Sequence, residues 1–75
     1  MISLQLKAKI EVEPQVSFPI IIVGESEEQI NNLGLEGKVL MGNMLSISLT
    51  GSEILNLENN NQHLTIEDDQ EMNAL

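Results

Sequence analysis

From Ile2 to Val12 apolar and polar residues alternate without a break. Ile2, Leu4, Leu6, Ala8, Ile10 and Val12 are apolar, and the odd positions between them are polar. A period of two is the signature of a strand with one buried face, so a first strand over 2–12 is expected. At about 3.3 Å per residue it would span roughly 35 Å, enough to bend round a barrel or reach a neighbour. Pro14 would end it, because proline cannot donate to a ladder.

The next stretch, Gln15 to Gly24, contains Val16, Phe18, Ile20 and Ile22 on one face, with Ile21 and Val23 apolar on the other. This reads as a second strand covered on both sides in its later half. Pro19 places the segment at a sheet edge or a bulge. Ser26 with Gln29 three residues on is a capping pattern, Glu27 and Glu28 suit the first turn of a helix, and Gly34 suits its C-terminal cap. One helix of two turns is therefore expected here.

Gly42-Asn43 separates two apolar runs and reads as a hairpin turn. Gly51-Ser52 reads as another turn. Glu53–Glu58 and His63–Glu67 then read as paired strands, with Leu55 and Leu57 facing Leu64 and Ile66 and Asn59 to Gln62 at the tip. Together these elements predict a mainly β fold: a small antiparallel barrel or sandwich of five to six strands with one short helix. One domain over 1–66 is followed by an acidic tail over 67–75.

Composition narrows what such a domain can do. Seventy-five residues make a thin core. There is no cysteine to staple it and only one histidine, His63, so disulfides and thiolate metal sites are excluded. Oligomerisation or docking on a larger partner is the remaining reinforcement. Twelve acids stand against three lysines and no arginine, for a net charge of −9. That charge repels nucleic acid and anionic membranes, and Phe18 alone makes no stacking platform for bases. No apolar run is long enough to span a bilayer, and no secretory signal is visible. A soluble location, inside the cell or within a particle assembled there, is expected.

No catalytic or cofactor motif is present. His63 with Glu67 lacks a third orienting group, the acids around Glu67 lack calcium-loop spacing, and Gly34, Gly37 and Gly42 fit no phosphate-loop fingerprint. No metal, no cofactor and no enzymatic activity are expected. What remains is contact chemistry. Lys7 and Lys9, in line with Glu11 and Glu13, form a stripe that is positive at one end and negative at the other. Two antiparallel copies would set lysines against glutamates. Phe18, Ile21 and Val23 are the apolar candidates for a protein interface, although Phe18 equally suits the core. The expected function is a structural or assembly protein acting through protein–protein contacts, as a homo-oligomer or in a larger assembly, such as a capsid decoration, connector or tail piece of a virion. The alternative is a small acidic inhibitor that imitates nucleic acid and binds a basic groove of a host enzyme. In that case Glu25, Glu27 and Glu28 would carry the binding.

Overall fold

The computed structural model describes residues 2–61 and 63–69. Its elements run α1 (Leu4–Val12), β1 (Ser17–Val23), α2 (Glu27–Asn32), β2 (Lys38–Met41), β3 (Met44–Thr50), α3 (Gly51–Asn60) and β4 (Thr65–Asp68). The four strands form one sheet in the order β2-β3-β1-β4, and every neighbouring pair is antiparallel. Between β1 and β2 the chain passes through α2 and skips β3. Between β3 and β4 it passes through α3 and skips β1. The result is the interleaved pair of crossovers of a split βαβ arrangement, with α1 added in front.

The three helices share one face of the sheet. Leu6 and Ile10 of α1, Ile30 of α2 and Ile54 of α3 meet Ile20 and Ile22 of β1, Leu45 of β3 and Ile66 of β4 in a single core. The register builds the floor of that core. Ile20 lies opposite Ile47, and Ile22 lies between Leu45 on one side and Ile66 on the other. Two layers, a sheet and a helix cover, bury one face of each of these elements, while β2 at the sheet edge stays exposed.

The small antiparallel β-rich fold agrees with expectation, but the closed barrel or sandwich of five to six strands with one helix does not. The described residues form an open sheet of four strands with three helices, a mixed α/β arrangement. The largest difference is at 2–12, expected as a strand and found as α1. Ser3 caps it by accepting the Leu6 N–H at 3.3 Å. Seven of its nine residues are Leu, Gln, Lys, Ala or Glu, all strong helix formers, and only Ile10 and Val12 are β-branched. The alternating pattern is no obstacle. Positions 2, 6 and 10 form one series four residues apart, and 4, 8 and 12 form another. A helix can bury the first series alone.

The stretch Glu53–Glu58, expected as a strand, lies in α3, and Gly51-Ser52, expected as a turn, begins that helix. Asn59 and Asn60 lie in its last turn instead of at a hairpin tip, and Gln62 falls outside the described residues. The signal for this helix was local: Thr50 and Glu53 form a reciprocal capping box. Ile54 and Leu57 then sit three apart on the inner face.

Pro19 is also placed differently from expectation, since β1 is central, between β3 and β4. A residue in a strand aims its N and its C=O to the same side. The Pro19 carbonyl accepts the Asp69 N–H at 3.0 Å. The missing donor therefore points to the end of β4, where the ladder stops, and the pairing with β3 loses nothing.

Other elements agree with the sequence reading. β1 and α2 lie where expected, Ser26 accepts the Gln29 N–H at 3.2 Å, and Gly34 has φ +67°. Gly42-Asn43 joins β2 to β3, and β4 holds Ile66. β4 continues through Glu67 and Asp68, the first residues of the stretch read as a tail. Its flank is joined by Ile2, which bridges Ile66 in parallel.

Candidate functional site

Among the described residues, no buried side-chain nitrogen or oxygen lacks a hydrogen-bond partner. No group of three or more His, Asp or Glu there is placed to hold a metal ion. His63 is exposed, and its Nδ1 lies 3.9 Å from Glu25 Oε1, itself exposed. A contact of that length between two solvated groups orients neither. No described helix is long and apolar enough to cross a membrane. The features that stand out are apolar surfaces.

The first is the outer strand of the sheet. All four residues of β2 are exposed, and Val39, Leu40 and Met41 retain 56%, 44% and 64% of their accessible surface. Among the described residues β2 has a single neighbour, β3, and the register slips between Val39 and Met41. The extra residue is Leu40. A bulge there bends the edge, so β2 offers three apolar side chains more than a long run of free backbone groups. Its charge setting is unusual for this chain. Residues 37–52 hold one lysine, Lys38, and no acid, against a net charge of −9 overall. The nearest acid across the turn is Glu27. Its Oε2 lies 3.3 Å from the point where a Cβ on Gly42 would stand.

The second is the outer side of α1. Leu4 is 84% exposed and Val12 77% exposed, with exposed Ala8 between them. At the C-terminal end of α1 this stripe runs into a groove of about 510 Å³, lined by Ala8, Val12, Val16 and Phe18 with Lys9, Glu13 and Ser17. A smaller groove of about 360 Å³ lies between α3 and the segment after α2. Leu33, Leu35, Leu49 and Leu57 line it together with Asn32, Asn56, Asn60, Asn61 and Glu53.

The residues singled out from sequence are scattered by this fold. Lys7 and Lys9 do not project side by side. Two residues apart on a helix they diverge by about 160°. Lys9 turns inward to the buried carboxylate of Asp68, while Lys7 is exposed. Phe18 lies on the helix side of the sheet, half-buried against the core and lining the larger groove. Ile21 and Val23 lie on the opposite face, Ile21 buried at 3% exposure and Val23 half-buried. Glu25, Glu27 and Glu28 are exposed at the start of α2.

Sequence reasoning missed the β2 side chains and the Leu4–Ala8–Val12 stripe. The absence of acids from 37 to 52 was a legible sign of the first. The four-residue spacing hidden inside the alternation was a sign of the second.

Comparison of the chain with protein-family models, with curated proteins and with solved structures gave no match.

Proposed function

We propose that the chain is a non-enzymatic assembly protein that works by contact with other protein chains. The observation that carries the reading is the outer strand β2, where Val39, Leu40 and Met41 are exposed in an acid-free segment of a strongly acidic domain. Exposed apolar side chains clustered on a sheet edge invite association, and native edges are usually blunted by charge. Here only Lys38 does so. The partner that fits is an apolar protein segment, uncharged or carrying an acid opposite Lys38, that lies along the edge. A small piece of a larger particle, including a virion, suits a thin-cored domain of this size and charge.

Panning a random peptide library against the purified chain tests the reading, with counter-selection on Leu40→Lys. Apolar peptides that bind the wild type and not the variant are expected. Equal enrichment on both proteins would remove β2 as the working surface. If the winners were instead polybasic and lost on neutralising Glu25, Glu27 and Glu28, the acidic-inhibitor reading would replace it.

A further inference from the structure

We propose that the outer face of α1 is a self-association surface, on which α1 of a second copy packs antiparallel with the two Ala8 residues at the crossing. This inference rests on a different part of the molecule from β2 and does not depend on it.

The geometry starts from the two series inside α1. At about 100° per residue, positions four apart drift by only about 40°, so each series forms a stripe. Leu6 and Ile10 are buried beneath the helix at 0% and 1% exposure. The stripe of Leu4, Ala8 and Val12 lies about 160° away and faces water. A helix cover normally turns polar residues outward, and this one is apolar on both sides.

Three features select a second copy as the occupant. Ala8 is the smallest side chain of the stripe and sits at its midpoint, which lets two helices approach closely there. In an antiparallel pair crossing at Ala8, Leu4 of each copy lies over Val12 of the other. That position is the mouth of the groove formed by Val12, Val16 and Phe18, so a leucine that is 84% exposed on one chain meets an apolar hollow of about 510 Å³ on the other. The charges also match. Lys7 and Glu11 share one flank of the stripe. The two-fold relation sets that flank against itself with the direction reversed. Lys7 then falls within about 3 Å, measured along the helix axis, of Glu11 in the second copy, and the pairing occurs twice. Lys7 and Glu11 cancel on this side and Lys9 is held by Asp68, so the outer face of α1 carries no net charge in a chain of net −9 and a second copy can approach it without like-charge repulsion.

The test is the mass of the full chain by sedimentation equilibrium over a hundredfold dilution series, with circular dichroism as the check on folding. Wild type is expected to approach twice 8.3 kDa at the concentrated end. Ala8→Glu, at an exposed position, is expected to stay folded and to weaken the dimer about tenfold or more by placing two carboxylates at the crossing. Lys7→Glu and Glu11→Lys should each weaken it, and the double exchange should restore it. That rescue distinguishes a paired interface from general damage, and it decides the matter if Ala8→Glu fails to fold. Leu40→Lys should leave the dimer intact. A wild-type mass of 8.3 kDa at every concentration overturns the proposal. So does a dimer lost in Leu40→Lys and kept in Ala8→Glu, which would assign self-association to β2.

Discussion

Lys9 of α1 and Asp68 of β4, fifty-nine positions apart, form an ion pair in which the carboxylate is almost wholly buried and the lysine stem is partly exposed. It ties the first helix to the last strand on the helix side of the sheet. A carboxylate at 1% side-chain exposure is costly without compensation, and Lys9 supplies a cation. Removing one partner should therefore cost more than removing both. Lys9→Met is expected to destabilise by roughly 1–3 kcal/mol in urea unfolding. Lys9→Met with Asp68→Leu should recover most of that loss. An unchanged midpoint for the single variant would mean that the pair contributes nothing.

Two glycines should respond to alanine for different reasons. A Cβ on Gly51 would stand 2.8 Å from Ile10 Cγ2 and 2.9 Å from the Pro14 carbonyl oxygen. That carbonyl accepts the Ser52 N–H at 3.0 Å and is held in place. Gly51→Ala should cost about 1–3 kcal/mol through forced separation of α1 and α3. Gly34 has open space around it but φ +67°. Gly34→Ala should cost about 1 kcal/mol from backbone strain, and Gly34→Asn less, since asparagine tolerates that region. Thermal unfolding of the three variants checks the order.

Thr50 ends β3 and caps α3 at once. Its Oγ1 accepts the Glu53 N–H at 3.2 Å, and Glu53 Oε1 accepts the Thr50 N–H at 2.9 Å. Thr50→Ala should cost about 1 kcal/mol and Thr50→Ser far less, because the hydroxyl is the working group. Hydrogen exchange should show the loss first in the amide of Glu53, which donates to the Thr50 hydroxyl, and not in that of Ser52, which donates to Pro14. Uniform loss across the sheet would contradict a local capping role.

A peptide of residues 1–16 is expected to show no helix in water by circular dichroism. α1 is nine residues long, below the length at which isolated helices hold, and its apolar residues face two opposite sides. A helical peptide would mean that local preference alone sets this segment.

Local chemistry made several elements legible. Gly42-Asn43 between apolar runs specifies a hairpin, Ser26 with Gln29 starts α2, and Gly34 stops it, all within a few residues. The run from Phe18 to Val23 carries enough β-branched residues to be a strand in any setting. The same locality explains α3: its capping box was written in the sequence, while the alternation of Leu55 and Leu57 pointed to a strand. Of the candidate interface residues, Phe18 was legible as apolar. Which side of the sheet it faces was not.

The sequence by itself determined the strand segments β1 to β4, the short helix α2 and the turn between β2 and β3, because each is marked by backbone preferences, alternation or turn residues within a few positions, while the pairing of β1 with β3 and β4 joins residues far apart in the chain. Only the tertiary structure decided α1, the partner of Lys9 and the exposure of β2. The even positions from 2 to 12 satisfy a strand, and they also satisfy a helix that buries every second one of them. The sheet already had its strands, and its inner face needed cover. Burying Leu6 and Ile10 in the core shared with Ile54 and Ile66 stabilised the helix. That choice left Leu4, Ala8 and Val12 facing outward.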